Sequence, residues 1–448
     1  MRRQWSFGRE ISATLALALP LVAGQLGQML IGVVDTVMIA RLGLVPLGAA
    51  TFTNSLTLVP LVFGLGLLTS ISVRVSQARG AGQSEQAAEV LRHGVVLAIL
   101  FGFLVLALIS ALIPVLPKLG QPPEVAARTP GYLMLVTISL IPALATAALK
   151  NHADAMGRPW WPFWIMFAGV GLNVVFNWVF IFGKLGIPAL GLEGAGVATV
   201  LARLIVLVAV AAWLVRDRRL AGWRPVHWRG RFELQRFRGL LQLGFPASLQ
   251  QFAEVSAFAG GALLVGMLGT VALGAHQIAL TCAATAFMVP LGLSMAVTVR
   301  VGEVIGSGQR ERLPRLVAGA WLLSGLFAMA TMTFFITAGH GIARGFVENG
   351  EVANLAASLL VVAGLFQLVD GLQVISAGAL RGAGDVKVPA WMSALAYLVI
   401  GIPLGALLMF VVNLGAVGFW YGLAAGLGVA TLLLSWRCHR ILFRPTIV

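Results

Sequence analysis

The stretch SVRVSQARGAGQ, residues 72–83, returns as TVRVGEVIGSGQ at residues 298–309. Both copies keep a Val-Arg-Val run and end in Gly-x-Gly-Gln. Working outward, one offset of 226 residues lays 20–83 on 246–309 without a gap, giving 17 identities in 64 positions. Pro20 meets Pro246, Leu42-Gly43 meets Leu268-Gly269, and Leu47-Gly48-Ala49 meets Leu273-Gly274-Ala275. A shared apolar composition alone would not align an arginine with an arginine and a turn with a turn. The chain is therefore read as two copies of one unit.

The solvent of that unit follows from composition. Hydrophobic residues make up 59% of 448, charged residues 10%, and the mean hydropathy is +0.94. A soluble domain carries about 25% charged residues, so this chain spans a membrane several times. Only helices and closed barrels satisfy every backbone group in hydrocarbon. Barrel strands need about ten residues each with period-two alternation. The apolar runs here are about twice that length and unbroken, as helices require. The expected fold is an all-α polytopic membrane protein.

Runs long enough to cross fall near 12–40, 46–73, 88–116, 129–149, 160–183, 193–215, 240–267, 272–299, 314–340, 353–380, 388–412 and 415–436. Twelve spans place the connecting segments on alternating faces. Twenty-five arginines and lysines then fall on one face and five on the other, with Arg203 inside a span. The positive-inside rule makes the rich face, which holds both termini, cytoplasmic. The N-terminal run is too long for a signal-peptide core. An inner, or plasma, membrane protein with both termini in the cytoplasm is expected. The net charge of +15 is thus a topology and lipid-headgroup signal, and no nucleic-acid partner is expected.

The repeat and the spans together divide the chain into an N-lobe at 1–215, a basic linker at 216–238 and a C-lobe at 239–448. Each lobe has six transmembrane helices entering from the same side. That is a parallel repeat, whose pseudo-twofold runs along the membrane normal. Two such lobes can rock about a midplane cavity, which suits alternating access.

Three carboxylates lie well inside spans: Asp35, Glu254 and Asp370. Each costs roughly 2.5–3.5 kcal/mol at the bilayer centre on insertion scales, so it is expected to face protein or a water-filled cavity. Gln25, Gln28, Gly32 and Asp35 share one helix face by their spacing. Gln250, Gln251 and Glu254 form a second polar set, and Gln367, Asp370 and Gln373 a third. Asn173 and Asn177 are four apart on one face, and Thr199 follows GLEGAGVA. Carboxylate, amide and hydroxyl oxygens suit a hard cation such as Na⁺. The same carboxyl groups can instead exchange a proton.

Other features have plainer readings. Cys282 and Cys438 suggest neither a disulfide framework nor a zinc site. His276 is expected as a packed neutral histidine, and Trp160, Trp161 and Trp164 as an interfacial belt. Pro60 and Pro290 sit within spans, where kinks are tolerated. GLGLL (64–68) and GAGD (382–385) lack the strand–turn–helix context of a nucleotide site. No Walker A sequence or Ser–His–Asp set is present. An enzyme is not expected, and no cofactor.

The stretches VVDTVMIARLG (33–43), GALLVGMLGTVALGAHQIAL (261–280), FMVPLGLSMAVTVRVGEVIGSG (287–308) and FQLVDGLQVISAGALRGAGDVKVPAW (366–391) resemble the multidrug and toxic compound extrusion (MATE) family, NorM-like branch. The resemblance covers essentially the whole chain. It implies a monomeric antiporter that exports cationic, amphipathic drugs from within a lipid bilayer, coupled to Na⁺ or H⁺. It implies Asp35 as the N-lobe coupling carboxylate, with Asn173, Asn177 and Thr199 as partners and a backbone carbonyl at Ala195. Glu254 and Asp370 become the C-lobe acids for cation or substrate, and Pro20 a hinge in the first helix. Na⁺ can then sit at Asp35, Asn173 and Asn177, or at Glu254 and Asp370. This chain departs from the pattern at Asn177, where some relatives carry aspartate, and at Phe366, where tyrosine is expected. The alternative is a lipid-linked saccharide flippase of the same superfamily, which needs basic residues in its cavity; only Arg203 is basic at midspan.

Overall fold

The computed structural model describes residues 6–228, 230 and 232–443. Among them there is no β-strand. The sequence-expected basic residues Arg2, Arg3, Arg229, Arg231 and Arg444 lie outside the described residues.

Ten long helices run first: α1 Phe7–Ala40, α2 Leu44–Gly80, α3 Ser84–Leu112, α4 Pro123–Ala155, α5 Trp160–Phe182, α6 Gly191–Arg216, α7 Leu234–Gly266, α8 Thr270–Gly306, α9 Leu313–Phe346 and α10 Gly350–Gly382. An eleventh span, Lys387–Val411, follows. It alternates α-helix with π-helical turns at Leu395–Gly401 and Leu407–Val411. The last helix is Gly415–Cys438. Eleven of these twelve are long and apolar enough to cross a bilayer. The remaining one, α7, carries Arg236, Arg238, Gln242, Gln250, Gln251 and Glu254, which lower its hydropathy although its length suffices.

The repeat is visible in the helices themselves. The bounds of α2 and α8 differ by the offset of 226 at both ends. Each is preceded by a glycine at positive φ, Gly43 at 111° and Gly269 at 105°, a conformation that side chains rarely adopt. The basic segment 216–238 holds a 3-10 turn, Arg218–Trp223, and the start of α7. Asp217 caps it by accepting from the Arg219 amide at 2.9 Å, and pairs with Arg158 at 2.8 Å.

Compactness divides the chain into residues 23–248 and a second unit made of 1–22 with 249–448. The expected lobes follow chain order; the compact units do not, because α1 and α7 each contribute to both. The crossings at 22/23 and 248/249 are again 226 apart, two residues after Pro20 and Pro246. Glycine pairs explain the exchange. In the first unit a Cβ on Gly66 of α2 would stand 2.6 Å from the Ser248 Cα, and the Ser248 hydroxyl donates to the Phe63 carbonyl at 2.7 Å. In the second, Gly292 of α8 meets Val22 in the same way, with a Cβ 2.6 Å from a Val22 methyl. Without a hydrophobic drive between helices in lipid, such small-residue contacts carry the association.

Gly66→Ala is expected to destabilise the detergent-solubilised protein by about 1–3 kcal/mol through overpacking. Gly171→Ala on α5, where a Cβ meets nothing within 4 Å, serves as control and should stay within about 0.5 kcal/mol. Thermal melting in detergent reads both, and equal melting of the two variants would refute the contact's role.

Cores follow each unit. In residues 23–248, Ile39, Ala49, Val125, Tyr132, Ile181 and Ala195 pack together. In the other unit α10 lies among α8, α9 and the last helix. There the Ser294 and Thr298 hydroxyls donate to the Val374 and Gly378 carbonyls at 2.6 and 2.9 Å.

Candidate functional site

The core around Ile39, Tyr132 and Ala195 fixes the C-terminal part of α1 against α4 and α6. One turn before Ile39 stands Asp35, half-buried. The Asn177 amide of α5 donates to its Oδ1 at 2.5 Å and also to Asn173 Oδ1 at 3.2 Å. Both asparagines are buried. The structure thus brings together three of the four expected N-lobe residues. The Thr199 hydroxyl donates to the Ala195 carbonyl of its own helix at 2.9 Å.

Acceptors outnumber donors in this cluster. Asn177 Oδ1 is buried and receives no hydrogen bond among the described residues. An unpaired buried acceptor of this kind costs about 1–3 kcal/mol, and a cation or a proton would satisfy it. Among the described residues no three His, Cys, Asp or Glu side chains gather as a transition-metal site would need.

Two residues outside the expected set complete the surroundings. Arg203, one helical turn beyond Thr199, donates to the Ser139 hydroxyl of α4 at 2.8 Å. Arg203 and the buried Tyr132 both lie within electrostatic reach of Asp35. Arg203 had a signal in the sequence, as the lone basic residue at midspan. Tyr132 had none.

The C-lobe acids gather a larger set. Asp370 is buried on α10, and Glu254 is half-buried on α7. The two interact electrostatically with each other, and both with Tyr397 on the first π-helical turn. Arg381, counted from sequence among the cytoplasmic charges, is instead buried and within electrostatic reach of Glu254. Its position at the end of α10 suggested solvent, but packing against neighbouring helices covers it. Asp370 Oδ1, Gln373 Oε1, Arg381 Nε and the Tyr397 hydroxyl are buried without hydrogen-bond partners. Their glutamine neighbours are satisfied. Gln250 donates to the Ser393 hydroxyl and Gln367 to the Ala283 carbonyl, both at 3.1 Å. The set therefore offers both donors and acceptors to a guest.

The lobes are not copies at this level. The offset carries Asp35 onto Gly261, where a Cβ would already stand 2.5 Å from the Phe419 ring, leaving no room for a carboxylate. Glu254 falls on Gln28. His276 is packed as expected: its Nδ1 accepts from the Trp420 indole at 3.0 Å. Trp160, Trp161 and Trp164 are exposed on the outside of the bundle, and both cysteines are free thiols.

Comparisons with known proteins agree with this geometry. The MatE family model matches residues 20–179 and again 246–407, once per repeat, the two matches starting 226 residues apart. The "Probable multidrug resistance protein NorM" of Mesorhizobium japonicum is 36% identical over 439 residues, covering 96% of this chain and 94% of the relative. The "Multidrug resistance protein NorM" of Burkholderia vietnamiensis is 35% identical, with 97% and 95% covered. Among solved structures, the D35N mutant of the Vibrio cholerae MATE transporter VcmN superposes with a TM-score of 0.88 at 22% identity, covering 98% of both chains. The eukaryotic MATE transporter AtDTX14 gives 0.86 at 21%, covering 96% of both. At such identities the structures speak for the fold, and the sequence matches for the family. The chain belongs to the MATE family, on its NorM-like side, and is a transporter rather than an enzyme.

Proposed function

We propose that this chain is a cation-coupled antiporter of the inner membrane that exports cationic, amphipathic drugs by alternating access. The observation that carries the reading is the acceptor-rich cluster of Asp35, Asn173 and Asn177, whose buried Asn177 Oδ1 lacks a donor. A coupling ion, Na⁺ or H⁺, supplies what the cluster lacks. Thr199 and the Ala195 carbonyl belong to the same N-lobe site. Relatives named multidrug resistance proteins support drugs as cargo. Glu254 and Asp370 serve the cation or the cationic drug in the C-lobe. Their burial beside unpaired polar atoms favours a guest that brings charge with it.

Coupling proceeds by occupancy. The ion binds the carboxylates from outside and displaces the drug; return to the inward-facing state releases it to the cytoplasm. In a one-for-one exchange with a singly charged drug no net charge crosses, so the ion's concentration gradient is the drive; a potential of 100 mV adds about 2.3 kcal/mol for each charge imported beyond the drug's own. Pro20 is the hinge, two residues before α1 passes from one compact unit to the other. Residues 1–215 and 239–448 form the functional lobes, both termini are cytoplasmic, and the protein works as a monomer among lipids. The flippase alternative is disfavoured because the arginines nearest the midspan acids, half-buried Arg203 and buried Arg381, each lie within electrostatic reach of a carboxylate.

Ethidium efflux from proteoliposomes, with sodium and proton gradients imposed separately, tests this. One of the two gradients is expected to drive efflux at least about tenfold above leak, the ratio that about 1.4 kcal/mol of ion gradient supports. Efflux indifferent to both would refute coupling.

A further inference from the structure

The repeat makes a comparison possible at the end of each lobe. In the unit containing the C-lobe, Glu10 is fully buried and accepts from Arg300 and, at 2.7 and 3.3 Å, from Arg312. The offset of 226 maps Arg300 onto Arg74, Arg312 onto Gln86, and Glu10 onto Arg236. All three counterparts line one cleft of about 830 Å³ within residues 23–248. At the position corresponding to the buried carboxylate, the unit of residues 23–248 carries a second arginine. We infer that this cleft, bounded by Arg74, Gln86, Arg236 and the start of α3, is a binding site for a phosphate group. The inference rests on the reading of this face as cytoplasmic.

Donors dominate the inner wall. Arg74 is half-buried and makes no hydrogen bond or ion pair among the described residues. Ser84, Glu85 and Gln86 open the 29-residue helix α3, whose N-cap residue Gln83 gives no side-chain cap. Their amides lack intrahelical acceptors, and such a terminus favours an anion. Guanidinium groups match phosphate oxygens in a fork geometry. A carboxylate has two oxygens in one plane; the donors here come from α2, α3 and α7, which a tetrahedral phosphate meets better.

The other charged groups of the cleft are accounted for. Glu85 and Glu233 are both exposed. Glu233 accepts from Arg236 at 2.6 Å, and this hydrogen bond holds its carboxyl below the usual carboxylate range. Exposed ion pairs of that kind hold their partners weakly, so Arg236 can turn to a phosphate. The His93 ring is held by the Glu233 amide, which donates to its Nε2 at 3.0 Å, and by a 2.8 Å contact between its Nδ1 and the Glu89 carbonyl. It anchors the segment that carries Arg236.

Native mass spectrometry of the detergent-purified chain, with phosphatidylglycerol against phosphatidylcholine, reads a lipid phosphate bearing net charge. Thermal melting in millimolar inorganic phosphate against chloride reads a soluble one. A phosphatidylglycerol preference of about tenfold is expected, the scale of one charge-assisted hydrogen bond. Arg74→Gln should abolish it, and so should the pair Gln86→Arg with Arg236→Glu, which rebuilds the closed arrangement around Arg300. If inorganic phosphate displaces the lipid, the guest is a soluble phosphate; if it does not, a headgroup. Equal retention of both lipids with no phosphate-dependent melting shift overturns the site. So does a preference that Arg74→Gln leaves intact. Because both readouts are binding measurements, they stand or fall separately from transport, and Asp35→Asn should leave them unchanged.

Discussion

Asp35→Asn is expected to reduce ethidium efflux to the passive leak while leaving the protein folded and inserted. Asparagine has the shape of aspartate, so α1 keeps its packing through Ile39 and Tyr132. What disappears is the only acid in the N-lobe cluster. Asn173 and Asn177 are neutral, and their amide oxygens alone hold a cation weakly without a carboxylate beside them. Nor can an amide exchange a proton near neutral pH. The drive from the ion gradient is then lost, whichever ion the parent uses. Melting should stay within about 1 kcal/mol of the parent, as for an isosteric change at a half-buried position. Efflux at the parent's rate, in vesicles where the variant is shown to be inserted, would dismiss Asp35 as the coupling group.

The same variant separates the two lobes. Asp35 maps to Gly261 under Phe419, and Glu254 maps to the exposed Gln28. A carboxylate in one lobe therefore has no substitute in the other, and loss of Asp35 cannot be covered by Glu254 or Asp370.

What the sequence made legible follows from what kind of physics each feature obeys. Spans are set by a uniform solvent, so apolar length located them and the offset of 226 paired them. Even α7, whose polar residues depress its hydropathy, showed as the apolar run near 240–267. Asp35, Asn173 and Asn177 were visible because polar side chains in lipid need a reason. Tyr132 and Tyr397 were not, since tyrosine is ordinary in a bundle and only tertiary packing sets it beside an acid. Arg381 looked like a cytoplasmic charge because it ends α10, and burial there depends on helices far away in sequence. The exchange of α1 and α7 between compact units was hidden for a similar reason. The glycines responsible, Gly66 and Gly292, align in the repeat, but the alignment does not say which helix they approach.

Glu10→Gln is expected to cost about 3–5 kcal/mol, the range for breaking a buried ion pair from one side. Arg300 and Arg312 converge on a carboxylate with no solvent exposure. Glutamine removes the charge and turns an amide donor toward guanidinium donors. Water cannot enter to compensate, because the side chains of both arginines are themselves mostly buried. The counterpart substitution Arg236→Gln disturbs an exposed pair with Glu233 and should cost no more than about 1 kcal/mol. The double variant Glu10→Gln with Arg300→Gln should be less damaging than the sum of its parts, because one unpaired charge leaves with the other. Thermal melting in detergent measures all three. Were Glu10→Gln to melt with the parent, the triad would be ornamental, and residues 7–22 would owe their place beside α8 and α9 to packing such as Val22 on Gly292 and Ile11 on Gly319. A large drop, with a small one at Arg236, would instead mean that the two ends of the repeat are held by different forces: a sealed ion cluster in one compact unit, and an open cationic cleft in the other.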